Sequence, residues 1–425
     1  MDTTEILGQP YRARVIDDAL KHALGIAGAV VIEGARASGK TMTALHAASS
    51  HVFLDDPQAQ GLLEISPRSV LEGAKPRLLD EWQLAPQIWN LVRREVDASA
   101  TPGRFILTGS ATPSDDITRH TGAGRFLRLR QHTMSWWEKQ GTPNGGVSLA
   151  GLFAGARPDA SPDPLTSLDE VIELTLQSGF PAMTSLQPLD AAQLLRAYIQ
   201  EVARTDVQRL ADVRHAPDVL TQLIAAIARS VASEVTLKTL AADLRPTAPA
   251  ILPETVGSYV GLLERLFIVE RQQAWAPRLR SRARLRTSPK LHLADPALAA
   301  AALGATRDRL HSDLATLGIL FESSVWHDLA VLTTPLGGEI RHYRDSNGNE
   351  IDAIIALPDG RWGAVEVKLG GLLIPAAVKS LTAAISQIDT HTVGEPSLKL
   401  IVTGNGPTLT LDDGTITCPL TALRP

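Results

Sequence analysis

The sequence predicts an α/β protein, and three observations carry that expectation. An apolar run at residues 28–32 leads into the Gly-rich turn Gly34-Ala-Arg-Ala-Ser-Gly39-Lys40-Thr41, and then into an Ala-rich stretch at 42–49. Apolar segments with polar or acidic ends recur at residues 50–56, 77–81 and 104–110. Toward the C-terminus, strand-like segments at 350–356 and 363–368 flank the turn Pro358-Asp359-Gly360. Strands alternating with helices build a parallel sheet, whose ligands sit at the carboxyl ends of the strands. A length of 425 residues suggests roughly three domains. The expected division is a parallel-sheet P-loop domain over 1–140, a helical and winged-helix-like region over 141–300, and an α/β domain over 301–425.

The turn at Gly34–Thr41 fits G-x-x-x-x-G-K-[ST] and has the strand before it and the helix after it that this pattern requires. Backbone N–H groups of such a turn, with the positive end of the helix, cradle phosphates. Gly34, Ser38, Gly39, Lys40 and Thr41 are therefore the expected nucleotide-binding residues, with Lys40 on the β/γ-phosphates and the Thr41 hydroxyl on Mg²⁺. ATP and Mg²⁺ are the expected cofactors. The segment Leu78-Leu79-Asp80-Glu81 is an apolar strand ending in paired carboxylates about forty residues later. Asp80 is expected to hold Mg²⁺ through water, and Glu81 to orient or deprotonate the attacking water. The strand at 104–110 ends in Thr108 and Ser110, placed to sense the γ-phosphate.

Composition narrows the classes. Apolar residues make up 44% of the chain, as in a core-forming protein rather than a disordered one. No stretch approaches the roughly 20 apolar residues that span a bilayer, and residues 1–10 lack the pattern of a signal peptide. The single Cys418 excludes a disulfide framework and a Cys-based zinc site, which fits a reducing cytoplasm. A cytoplasmic protein without a membrane partner is expected. A net charge of −5 gives no overall attraction to nucleic acid, so such binding has to come from a local patch. Of 41 basic residues only nine are Lys. Lys40 and Lys368 thus stand out as places where a compact ammonium is wanted.

In the middle region, residues 168–176, 191–210, 236–244 and 253–266 have helical apolar spacing. Residues 250–266 have the character of the second helix of a helix-turn-helix, with 267–269 continuing into the strand of a wing. Arg278, Arg280, Arg282, Arg284 and Arg286 follow at every second position, with Lys290 beyond. On an extended strand this period puts five guanidinium groups on one face. A polyanion relieves their repulsion, so DNA is the expected partner at this stripe. Trp275 is the one aromatic platform nearby, which favours phosphate contact over base stacking.

In the C-terminal region, Glu366 and Lys368 are two apart on one strand, and a turn near Asp359 sets Asp352 opposite Glu366. The two carboxylates are expected to bind one Mg²⁺, with Lys368 polarising a water for attack on a phosphodiester. Glu322, in the helical stretch 320–332, is a candidate further ligand.

Several motifs together resemble a large prokaryotic group of AAA+ ATPases. They are Leu79-Asp80-Glu81-Trp82-Gln83-Leu84-Ala85-Pro86, Leu107-Thr108-Gly109-Ser110, Gly122-Ala-Gly-Arg125 and Ser135-Trp136-Trp137-Glu138. The resemblance covers nearly the whole chain and implies an N-terminal ATPase joined to a C-terminal domain of unknown function. It also implies a sensor or trans-acting role for Arg125. Phe321-Glu322, Tyr343-Arg344-Asp345, Glu350-Ile-Asp352 and Glu366-Val-Lys368 are this group's recurring C-terminal residues. The order of helix, hairpin with Asp, then Glu-x-Lys resembles the core of PD-(D/E)XK nucleases. The function implied is an ATP-hydrolysing protein that acts on, or is triggered by, DNA. The alternatives are a regulatory NTPase switch that signals to a protein partner and an ATP-licensed, metal-dependent nuclease. Self-association into a homo-oligomer is compatible with each.

Overall fold

Parallel strands covered on both faces must be apolar along their whole length, and the central strands of the N-terminal segment, at residues 29–33 and 105–109, meet that demand. The computed structural model describes all 425 residues except 100, 113–122, 142–145, 162–165, 212, 214 and 278–287. Strands β1 (Ala29–Glu33), β2 (Ser50–Phe53), β3 (Arg77–Asp80), β4 (Phe105–Gly109) and β5 (Phe126–Arg130) form one sheet. Every neighbouring pair in it is parallel, in the order β2-β3-β4-β1-β5. Val30 and Ile32 pack on one face with Leu20, Leu45 and Ile106. Ala29 and Val31 pack on the other with Trp82, Trp89 and Leu107. Because β4 lies between β1 and β3, its polar tip stands between the Gly-rich turn and the paired acids.

Residues cluster into two compact units, Met1–Thr133 with Leu262–Ile268, and Met134–Gly261 with Val269–Pro425. The middle and C-terminal segments thus pack within one compact unit. In the second unit, β6 (Val147–Ser148) is followed by helices that include Leu168–Leu176, Pro188–Glu201, Pro217–Arg229 and Leu237–Leu244. An antiparallel pair comes next, β7 (Val269–Gln272) and β8 (Lys290–Leu293). After the helix Leu314–Leu332 come β9 (Glu339–Arg344), β10 (Glu350–Ala356), β11 (Trp362–Gly370), β12 (Leu398–Asn405), β13 (Leu409–Thr410), β14 (Ile416–Pro419) and β15 (Leu423–Arg424). β15 pairs with β6, and the rest form a six-stranded sheet in the order β13-β14-β12-β11-β10-β9. β9, β10 and β11 are antiparallel neighbours, while β11, β12 and β14 run parallel.

The wing strand expected from residues 267–269 meets β7, and β7 is held to the C-terminal sheet: Gln272 Nε2 donates to the carbonyls of Arg341 (3.0 Å) and Asp352 (2.8 Å). Gln272, Lys290 and His292 are all buried. His292 bonds Gln272 Oε1 and Ser323 Oγ through its two ring nitrogens and stacks on Trp326. These interactions tie β7 and β8 to the C-terminal sheet across the boundary expected at residue 300. Among the described residues no helix is long and apolar enough to cross a membrane.

Candidate functional site

The turn after β1 is shaped by two glycines. Gly39 has φ of 96°, a left-handed conformation that side-chain-bearing residues adopt at a cost. A Cβ on Gly34 would lie 2.1 Å from the Gln131 carbonyl, so only glycine fits there. The turn is braced from beneath: Arg14 donates to the carbonyls of Ser38 (3.0 Å) and His132 (2.9 Å), and Gln131 Nε2 donates to Ser38 O (3.2 Å). Lys40 is buried at the start of the helix Lys40–Ala47, and its ammonium donates to Ala35 O at 2.8 Å. The Ser38 hydroxyl is buried with no hydrogen-bond partner among the described residues. A cradle of glycine backbone, a buried ammonium and an unpartnered hydroxyl fits a phosphate chain.

At the tips of β3 and β4 the polar groups form one hydrogen-bonded chain. The hydroxyls of Thr41 (2.9 Å) and Thr108 (2.6 Å) both donate to Asp80 Oδ1. Thr108 Oγ1 in turn accepts the backbone N–H of Glu81 at 3.0 Å. Glu81 sits in the left-handed region, with φ 55° and ψ 48°, a conformation costing about 1 kcal/mol or more for a residue with a side chain. Its carboxylate accepts from Ser110 Oγ at 2.8 Å and from Gln83 Nε2, which also donates to Ser110. Burial lifts the Asp80 carboxyl to about 6 and lowers the Lys40 ammonium to about 8. A bound divalent cation and a phosphate would relieve these two strains together, so the donor set suits a magnesium–nucleotide complex.

Arg125 is in a different place. It directly precedes β5, its carbonyl accepting from Ala29 N–H, and so stands where the parallel strands begin rather than at the carboxyl ends that carry the Gly-rich turn. Its guanidinium pairs with Asp97 at 2.8 Å. A sensor contact to the nucleotide site of its own chain is therefore not formed. Arg130, at the other end of β5, is level with Glu33 at the end of β1. It acts electrostatically on Lys40, as Arg36 does. Sequence reasoning missed Arg14, Gln131 and Arg130. The alternation Leu127-Arg128-Leu129-Arg130 is the available signal for β5. The stripe Arg278, Arg280, Arg282, Arg284 and Arg286 lies outside the described residues.

In the second unit, Asp352 and Glu366 come together on β10 and β11, as the hairpin register requires. Asp352 Oδ2 accepts the Val367 N–H at 2.8 Å, and Lys368 donates to Glu366 Oε1 at 2.8 Å. Glu322 joins the same cluster from the helix Leu314–Leu332. The group between them is Lys290 on β8, whose side chain is 3% exposed and whose Nζ lies 2.9 Å from Glu322 and 2.8 Å from Glu350. Among the described residues no three His, Cys, Asp or Glu side chains are placed to hold a metal ion. Asp352, Glu366 and Glu322, the residues expected to hold Mg²⁺, are brought together, and the Lys290 ammonium stands among them. Burial, and then Asp352, raise Glu322 and Glu366 to about 7. Burial also raises Asp352. For Lys290 burial opposes the charge, but Glu322, Asp352 and Glu350 outweigh it and hold the ammonium protonated.

Comparison with known proteins divides the chain in three. Residues 27–139 match the AAA domain family, and two domains of unknown function match residues 168–309 (DUF8612) and 317–423 (DUF4143). No curated protein matches the chain. Among solved structures, the Walker-type ATPase PABY2304 of Pyrococcus abyssi is similar at 11% identity and a TM-score of 0.39, covering 69% of this chain and 96% of that one. With the parallel sheet and the Gly-rich turn, the first match makes the N-terminal region a P-loop ATPase domain of the AAA type.

Proposed function

We propose that the chain binds MgATP at the Gly34–Thr41 turn, hydrolyses it with Glu81 as the water-orienting base, and uses the cycle to act on, or respond to, DNA. The observation that carries the hydrolytic part is the chain of bonds Thr41–Asp80–Thr108–Glu81. Bound Mg²⁺ neutralises phosphate charge in such sites. Thr41 and Asp80 would hold it, Lys40 would bind phosphate oxygens, and Ser110 and Gln83 fix the Glu81 carboxylate. Thr108 ties the backbone of the base to the metal-holding carboxylate, so a change at one reaches the other. Proton acceptance by a positioned carboxylate of this kind typically contributes about 10²–10⁴-fold.

The support for DNA is the arginine stripe at 278–286 in the sequence. The test is the ATPase rate with single-stranded, duplex and branched DNA across a salt series. Phosphate contact predicts stimulation and a steep fall in affinity with salt. Replacing Arg280, Arg282 and Arg284 by Ala should reduce the slope of log K against log salt by about one for each phosphate left unneutralised, with ATP binding unchanged. If DNA neither stimulates hydrolysis nor binds with a salt slope, this part of the proposal fails.

A second reading, signalling to a protein partner, is favoured by one feature of the second unit. A cleft of about 1120 Å³ runs beside Glu322 and Lys368, walled by Phe321, Leu372, Leu373 and Pro407. Leu372 is 98% exposed. Among the described residues Lys368 is the single basic side chain lining the cleft, which suits an apolar protein segment better than a phosphate backbone.

A further inference from the structure

We propose that the Lys290 ammonium is the resident cation of the C-terminal acidic site, standing where a divalent metal would be needed and making that site independent of metal.

The placement follows from the two-residue period of the strands. On β8, Lys290 and His292 are two apart and share a face, and both reach toward the helix Leu314–Leu332 through Glu322 and Ser323. On β10, Glu350 and Asp352 lie either side of Ile351, where the pairing with β9 shifts register, and both act on the Lys290 ammonium. The helix and the strand thus bring their carboxylates to one point, and β8 delivers an ammonium to it. The lysine stem is sealed: the residue is 2% exposed and its strand is buried throughout. It is also fixed by backbone, since Gln272 opposite Lys290 is clamped to the Arg341 and Asp352 carbonyls.

The ion pairs add to the placement: three of the four carboxylates have an ammonium partner, while Asp352 is held by the Val367 N–H. Glu322, Glu350, Asp352 and Glu366 face Lys290 and Lys368, and buried carboxylates are tolerated only when paired. Lys290 spans Glu322 and Glu350, the role of a bridging cation, while Lys368 serves Glu366. A divalent ion brought to Asp352 would stand beside a buried ammonium that cannot leave without breaking two ion pairs. Repulsion by that ammonium disfavours the metal at the position a metal-dependent phosphodiesterase requires. The site is therefore a binding or structural device. Its independence of metal is built into β8 rather than into the hairpin that carries Asp352, Glu366 and Lys368.

The test uses the nucleotide-free full chain, read by Mn²⁺ binding in electron paramagnetic resonance and by thermal unfolding of the second unit. Wild-type protein and Asp352→Asn should bind Mn²⁺ alike, and neither transition should move. An Mn²⁺ site in the wild type that Asp352→Asn removes would overturn the proposal. Lys290→Met keeps the apolar stem and deletes the cation. It should melt lower than wild type and regain roughly 5 °C or more when Mn²⁺ exceeds its Kd about a hundredfold. That gain should vanish in Lys290→Met/Asp352→Asn. A folded Lys290→Met that gains nothing from Mn²⁺ or Mg²⁺ would equally sink the idea. If the variant does not fold, the wild-type comparison decides alone.

Discussion

Replacing Asp80 by Asn should stabilise the nucleotide-free first unit while disabling its use of magnesium. Both hydroxyl donors, Thr41 and Thr108, go to the same oxygen, Oδ1. A carboxamide oxygen can accept both, so the substitution removes charge without orphaning a donor. Asp80 is 5% exposed, and burial lifts it from 3.8 to about 6. That rise corresponds to about 3 kcal/mol. Between pH 3.8 and 6 the native state keeps a proton that the unfolded chain has released. Stability therefore falls as pH rises through that window, and the penalty is complete above it. Asn carries no such penalty. The expected gain is at most about 3 kcal/mol at pH 7.5, about half of that at pH 5, and close to nothing below pH 4. Thermal unfolding of the full chain in EDTA, followed at the transition of the first unit, should show a rise approaching roughly 10 °C at pH 7.5. Adding MgATP at about a hundred times its Kd should stabilise the wild type by about 2.7 kcal/mol and the variant by far less. The reasoning is refuted if the variant melts at or below the wild type at pH 7.5, or if the difference is flat from pH 4 to 8.

Three outcomes accompany it. Lys40→Ala should abolish the MgATP-dependent thermal shift, because the phosphate-facing ammonium is gone; normal nucleotide affinity in that variant would remove the basis for the site. Glu81→Gln should bind MgATP as wild type does and turn it over about 10²–10⁴-fold more slowly, since Thr41 and Asp80 are intact; an unchanged rate in a single-turnover assay would exclude Glu81 as the base. Charge removal at Arg280, Arg282 and Arg284 should flatten the salt dependence of DNA binding by about one per phosphate left unneutralised, and a slope equal to wild type would return the stripe to a structural role.

The nucleotide site is legible in the sequence because its chemistry is local. Strand, turn and helix are contiguous from Ala29 to Ala47, and the acid pair Asp80 and Glu81 ends a strand whose apolar run gives it away. Thr108 is legible as well, although its full use is not. The sequence places it at the γ-phosphate, and in the structure it also bonds Asp80 and the backbone of Glu81. Arg14 and Gln131 are not legible, because their targets are backbone carbonyls and leave no pairing pattern in sequence. Arg125 makes no sensor contact within its own chain for a topological reason, which leaves the trans-acting role untouched. Its motif adjoins a strand that runs parallel to β1, so its position at the start of β5 puts it at the far end of the sheet.

The C-terminal site shows where a pattern of charges in sequence stops being informative. Asp352, Glu366 and Lys368 lie on a hairpin whose register follows from the turn alone, and the structure keeps that register. Lys290 follows a run of arginines and reads there as one more surface charge. Its partners are 32 residues away at Glu322 and farther at Glu350. The cue lies in the type of cation: in a chain that uses Arg for most of its positive charges, a Lys flanked by Pro289 and the apolar alternation Leu291-His292-Leu293 marks a position where a slender ammonium must be buried. An ammonium is a compact point charge that two carboxylates can share, as Glu322 and Glu350 share that of Lys290. On the proposal made above, one lysine outside the hairpin governs whether the acids downstream take up a metal.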